Sequence, residues 1–287
     1  MNENTVMYQI TETSEFMMSF VIITKENNAI IIDGGAPEDM PLLKQYIGGR
    51  HVSAWILTHA HLDHIGGFIS EAKRNGLADF NPSRVYFNFP PLSLAEEGQV
   101  IDREATRRDF SESIPAFLEI YPTLQGKKTI LHQGDRLQFD EVTIDVLFTW
   151  RKELLNNPMN DSSTVFRLST PNKSVLFLGD LGPEGGDILF RESRHLLKSD
   201  MVQMAHHGQA GVGLEVYAAI MPEACIWCSN EKIFENGEAF WGPMETEELR
   251  RRGWIRMYGT ALTRQWMDIL GVKTHYVSKD GTNKIIL

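Results

Sequence analysis

Residues 58–67 read THAHLDHIGG, which places three imidazoles and one carboxylate within the stretch from His59 to His64. Imidazole nitrogen and carboxylate oxygen are standard zinc ligands at about 2.0–2.2 Å. In extended chain, residues two apart point to the same side, so His59 and His61 converge. Asp63 and His64 follow as the chain turns into a helix, and they aim at a second point a few ångströms away. Gly66 and Gly67 let the backbone pass close to the site. A lone histidine is usually a core or surface residue. Four such groups packed directly behind an apolar strand (VSAWILT) point to a metal centre.

Two later segments carry matching chemistry. The apolar string VLFL runs through Gly179 into Asp180, so this carboxylate emerges at a strand end. An aspartate after glycine at a strand end is, by itself, usually a turn. Its two oxygens can nevertheless bind two cations at once. A second strand leads into His206-His207-Gly208. Neighbours in extended chain point apart, so one of the two histidines is expected to ligate directly. His207 is favoured, with His206 orienting substrate or supporting the ligands.

THAHLDHIGG resembles the HxHxDH signature of the metallo-β-lactamase superfamily. Asp180 in FLGD resembles that family's aspartate bridging both metals, AHHG its late histidine motif, and Asp33-Gly34-Gly35 its early DxG turn. NDSSTVFRL ahead of FLGD is similar to one branch, which includes the hydrolase domain of DNA-uptake channel proteins and the phosphorylcholine esterases. The resemblance implies an α/β fold, a four-layer αββα sandwich. It also implies two divalent metal ions, zinc first, held by His59, His61, Asp63, His64, Asp180 and His206 or His207. The expected activity is hydrolysis by a hydroxide bound to both metals, with Asp63 and Asp180 essential to turnover.

One departure stands out. Many members place another histidine between the first motif and the bridging aspartate. Here that interval holds only His132, in TILHQGDRL, too early and inside a strand before a turn. Asn160-Asp161-Ser162-Ser163 occupies the expected place, so Asn160 or Asp161 could approach the metal or fix the substrate. An oxygen-richer first site would hold zinc less tightly and accept manganese or iron. It also argues against β-lactam hydrolysis. The branch favours a small phosphodiester or phosphate ester. A lactone or thioester is the alternative, and a metal-dependent binding protein without turnover is a third reading.

The elements that must position these residues are readable from patterning. Apolar, β-branched strands are expected at 16–24, 29–32, 52–58 and 84–88, with a helix over 37–47 and another over 67–75. Residues 93–124 carry apolar positions at helical spacing. They are expected to form a helical insertion lying over the fold, either walling a substrate pocket or only packing. Strands resume over 129–148, followed by a hairpin of 164–168 with 174–178 and strands at 200–205 and 224–229. Helices are expected at 245–252 and 263–270, and a last hairpin pairs 272–277 with 284–287. Two halves, each of strands followed by helices, predict one domain over 1–287: two sheets face to face with helices outside.

Composition narrows the partners. With 38 acidic against 28 basic side chains among 287 residues, the net charge is −10. Such a field repels phosphate backbones, which argues against nucleic acid and for a small-molecule substrate. The polar start has no leader pattern, and no apolar run reaches the roughly 18 residues of a membrane span. A cytoplasmic protein is expected. Cys225 and Cys228 lie three apart in strand-like sequence, so they face opposite sides as small buried residues. His51, His195 and His275 have no motif context. Arg107-Arg108 and Arg250-Arg251-Arg252 read as solvated helix faces, and the Gly- and aromatic-rich 234–243 as a loop, either lining a pocket or on the surface.

Overall fold

The computed structural model describes residues 2–13, 17–96, 109–155, 157–236 and 259–287. Fourteen strands among them form two seven-stranded sheets. The first sheet has the order β14-β1-β2-β3-β4-β5-β6. Its strands are β1 (Val6–Gln9), β2 (Ser19–Ile23), β3 (Ala29–Asp33), β4 (Val52–Ile56), β5 (Val85–Phe87), β6 (Lys128–Ile130) and β14 (Asn283–Ile286). The second runs β13-β12-β11-β10-β9-β8-β7. It comprises β7 (Arg136–Phe139), β8 (Val142–Phe148), β9 (Val165–Ser169), β10 (Ser174–Phe177), β11 (Met201–Gln203), β12 (Ala224–Trp227) and β13 (Thr274–Val277). The helices are α1 (Met40–Ile47), α2 (Leu62–Asn75), α3 (Ser93–Glu96), α4 (Ile114–Ile120), α5 (Pro183–Ser193), α6 (Leu214–Ile220), α7 (Glu231–Asn236) and α8 (Thr260–Ile269).

Alternation along the buried strands builds the layers. On β2 and β3, Phe20, Ile22, Ile30 and Ile32 face the second sheet and meet Ile144, Phe166, Val175 and Phe177 in a central core. Val21 and Ile31 face the other way, onto Leu43 of α1 and Phe68 of α2. On the far side, Leu176, Val202 and Cys225 pack against Leu189 of α5, Val216 of α6 and Met267 of α8. Three apolar layers therefore separate four layers of structure, the expected αββα sandwich. Cys225 lies in the outer layer and Cys228 in the central one, on opposite sides of their sheet. Both are free and buried.

Several expectations change. α2 starts at Leu62, not near Gly67, so Asp63 and His64 lie in its first turn. The 129–148 run holds strands as expected, but the chain crosses between sheets after β6. The last two strands do not form a hairpin. β13 pairs in parallel with β12, while β14 joins the other sheet, antiparallel to β1. The turn before Gly281 is present, but it passes the chain from one sheet to the other. β1 itself has no counterpart in the sequence reading.

In the 93–124 stretch, α4 packs its Phe117 against Phe68 of α2 and Phe87 of β5. The helix expected at 245–252, the two arginine runs and most of 234–243 lie outside the described residues. No helix among the described residues is long and apolar enough to cross a membrane.

The glycines of the first motif serve a different contact from the one expected. A Cβ on Gly67 would lie 2.7 Å from the Gly34 carbonyl and 2.9 Å from the Ala36 carbonyl, and would collide with Met40 Sδ. What passes close is the turn after β3, not the cluster of ligand-type side chains. Gly67 N–H also donates to the Gly35 carbonyl at 2.8 Å. Alanine in place of a helical glycine is ordinarily worth up to about 1 kcal/mol. Here we expect Gly67→Ala to lower unfolding stability by about 1–3 kcal/mol through overpacking. An unchanged or raised urea midpoint would show that α2 can move off this turn freely.

Candidate metal centre

β4 is an almost wholly buried strand that delivers Leu57, Thr58 and His59 to its carboxyl end. His61 then takes the N-cap position of α2 with extended backbone (φ −71°, ψ 147°). As expected from their spacing, the first two histidines converge: His59 Nε2 lies 3.1 Å from His61 Nδ1. His64 Nε2 lies 3.6 Å from Asp63 Oδ2 and 3.3 Å from Asp180 Oδ1. His207 Nε2 lies 3.1 Å from Asp63 Oδ2 and 3.3 Å from Asp180 Oδ2. His59 Nε2 is 3.8 Å from the same Asp180 oxygen. The side chains thus form two donor groups, Asp63–His64–Asp180–His207 and His59–His61–Asp180, with Asp180 in both.

These separations suit a divalent cation. Ligands bonded at about 2.0–2.1 Å in tetrahedral array lie about 3.3 Å from one another. His64 Nε2 and Asp180 Oδ1 are buried 3.3 Å apart, but their geometry makes no well-formed hydrogen bond to each other or to another described residue. Buried polar atoms ordinarily find partners, and a cation between them would satisfy both.

Each imidazole is also held on its other side. Asp33 ends β3 in a left-handed conformation (φ 53°). Its carboxylate accepts from the Thr58 amide at 2.7 Å and from Thr58 Oγ at 2.6 Å, and it lies 2.7 Å from His64 Nδ1. This role was missed in the sequence, where Asp33 reads only as part of a turn. Thr58 Oγ also lies 3.2 Å from His59 Nδ1. His207 Nδ1 donates to the Cys228 carbonyl at 2.7 Å, which leaves Nε2 for the centre. His61 Nε2 lies 3.1 Å from Asp109 Oδ1, a residue the sequence reading did not single out.

Asp180 is fixed by its backbone. Its amide donates to Ser163 Oγ at 2.9 Å, and the amides of Leu178 and Gly179 donate to Gln203 Oε1. Gly179 has φ +56°, and a Cβ there would meet Ser163 and Thr58. His206 and His207 are not extended, as the sequence argument assumed, but left-handed (φ 52° and 57°). Their rings therefore do not simply oppose. His207 enters the second group, while His206 Nε2 stands 4.0 Å from Asp180 Oδ2 and 3.3 Å from Asn160 Nδ2. Asn160 is buried, and its Oδ1 has no hydrogen-bond partner among the described residues. Asp161 Oδ1 accepts the Gly185 amide at 2.9 Å, in the first turn of α5. His132 has a side chain 72% exposed, near Asp135. His51 meets Ser83, and His275 accepts from Trp227 Nε1.

The model of the metallo-beta-lactamase superfamily matches residues 16–216, which include every donor named above. The chain belongs to that superfamily. Two solved structures share its fold at low sequence identity. One is the metallo-beta-lactamase fold protein YhfI from Bacillus subtilis, with 9% identity, TM-score 0.52, and coverage of 98% of this chain and 99% of that one. The other is CmlA, a diiron beta-hydroxylase from Streptomyces venezuelae, with 11% identity and TM-score 0.52. It covers 100% of this chain, which spans just over half of CmlA (55%). No curated protein matches in sequence. Metallo-beta-lactamase superfamily members are mostly metal-dependent hydrolases, though CmlA is not.

Electrostatics follow from the same geometry. Burial opposes charge on every group, but Asp180, Asp63 and Asp33 around His64 raise its pKa well above the ordinary value. His207, buried against Asp180 and Asp63, is pushed up to about 10. Burial and the His64 charge lower His59. For His61, burial is outweighed by Asp109, Asp63 and Asp180, and the pKa rises. Burial opposes ionisation of Asp63 and Asp180, but the neighbouring imidazoliums hold both below the usual range. Metal-free protein therefore carries protons on His64 and His207 at neutral pH, and an incoming cation must displace them. Affinity therefore rises with pH, for the His207 proton up to about 10. By chelator competition between pH 6 and pH 8, we expect about a tenfold gain per pH unit for each proton displaced. A flat profile would contradict the protonated pair. Asp33→Ala leaves His64 Nδ1 without its acceptor, and we expect metal affinity to fall about 10–100-fold, measured by the same competition.

Proposed function

We propose that this chain is a two-metal hydrolase acting on a small phosphodiester or phosphate ester. The observation that carries the reading is the position of Asp180, whose carboxylate stands in both donor groups at once. In this assignment His59 Nε2, His61 Nδ1 and Asp180 hold the first cation. Asp63, His64 Nε2, Asp180 and His207 Nε2 hold the second. Bound there, two divalent cations would supply Lewis acidity and activate water near neutral pH.

The protein's own groups do the positioning. Asp33 and the Cys228 carbonyl orient His64 and His207. Asp63, half-buried at the start of α2, is the carboxylate open to substrate and is assigned the proton transfer. Asn160, whose oxygen has no hydrogen-bond partner among the described residues, and His206 beside it are assigned to the substrate side of the first cation. Zinc is the first expectation. A first group with two imidazoles rather than three also suits manganese or iron.

The substrate class rests on the NDSS string and its branch resemblance, and small size on the net charge of −10. A lactone or thioester is the competing substrate, since the same constellation serves carbonyl and phosphoryl centres. A panel of chromogenic phosphodiesters, phosphomonoesters and lactones, run with zinc, manganese and iron, separates these. We expect phosphodiester turnover in the wild type and a loss of about 10³-fold or more in Asp180→Ala, with an unchanged far-ultraviolet spectrum. Full activity and full metal content in that variant would sink the assignment. Tight anion binding with no turnover on any substrate would mark a binding protein instead.

A further inference from the structure

We infer that Asp109 is a positioning residue for the first cation, holding His61 in the form that ligates through Nδ1. The inference rests on the two-metal reading above. His59, His64 and His207 each turn Nε2 toward the centre, and their Nδ1 atoms meet Thr58 Oγ, Asp33 and the Cys228 carbonyl. His61 is reversed. Its Nδ1 faces His59 Nε2 at 3.1 Å, and its Nε2 points away. A neutral imidazole that ligates through one nitrogen carries its proton on the other, and that N–H needs an acceptor to fix the ring.

Asp109 Oδ1 lies 3.1 Å from His61 Nε2 with only 13% of its side chain exposed. The other three partners come from the ends of the sheet strands or the loops directly after them. Asp109 comes from elsewhere, the start of a five-residue π-helical turn, Asp109–Ser113. The next residue, Phe110, is buried in the outer apolar layer, and α4 continues directly onto α2 through Phe117 and Phe68. The carboxylate is therefore carried by a helix docked on the element that His61 caps. The helical segment contributes to the centre itself rather than only covering the sheet.

The test compares wild type, Asp109→Ala, Asp109→Asn and Asp109→Glu in two measurements on the full chain. In the first, zinc and cobalt are titrated against a chelator. We expect two sites in wild type. Asp109→Ala should weaken one of them about 10–100-fold and leave the other unchanged. Asp109→Asn, which keeps an oxygen but not the charge, should fall between, and Asp109→Glu should recover part of the loss. The second measurement needs no metal. Long-range 1H–15N spectra at alkaline pH report which nitrogen of each ring is protonated. We expect the proton on Nε2 of His61 in wild type and a mixture of tautomers in Asp109→Ala.

Wild-type affinity for both cations in Asp109→Ala, or an Nδ1-protonated His61 in wild type, would overturn the inference. Equal weakening of both sites would also overturn it, by reducing Asp109 to general support of the fold. Failure of the wild type to take up two cations, with the tautomer shift intact, would instead remove the two-metal reading and leave the Asp109–His61 contact standing.

Discussion

Three carboxylates, Asp33, Asp63 and Asp180, converge on a site from which water is largely removed. Charge in such surroundings is costly unless it is matched. The matching charge in metal-free protein comes from His64 and His207, whose protons sit between those carboxylates. Divalent cations offer the same compensation with stronger, directional bonds. The donors are thus held together by electrostatic need as much as by packing, and the surrounding scaffold can be read as what keeps them from relaxing apart.

That scaffold works through strand ends. β3 with β4, and β10 with β11 and β12, run parallel within their sheets. Their carboxyl ends deliver Asp33, the first histidines, Asp180 and the His206-His207 pair to one rim. In open α/β sheets, ligands gather at this rim because the connections there can diverge. Left-handed backbone at Asp33, Gly179, His206 and His207 turns the chain sharply as it leaves each strand. Non-glycine residues adopt that conformation at a cost. Here the surrounding hydrogen bonds, from Gln203 to the Gly179 carbonyl and from Ser229 to the His207 carbonyl, hold it in place.

Much of this was legible because it is local. His59 to His64 announce themselves within one turn of chain, and the layered fold follows from strands that are apolar on both faces. What the sequence concealed depends on distant chain. Asp33 looked like half of a turn because its acceptor role exists only once α2 folds back over β3. The backbone at His206 and His207 departs from the extended form that a strand leading into them implies, and no residue type there signals it. β1 is only four residues long within polar flanks, too short for periodicity to register. The turn before Gly281 was correctly placed, but turn chemistry says nothing about which sheet receives the next strand. Asp109 sits in a charged stretch, where only the docking of α4 gives it a neighbour.

The pairing of β14 with β1 bears on how the molecule is assembled during synthesis. Asn283 donates to Gln9 across a separation of 274 residues, and Ile285 and Leu287 belong to the central apolar layer. β1 therefore keeps an open edge until the chain 274 residues further on has been made. Contacts that distant slow folding, and an exposed strand edge invites pairing with other chains in the meantime. That edge is closed only when β14 pairs with it.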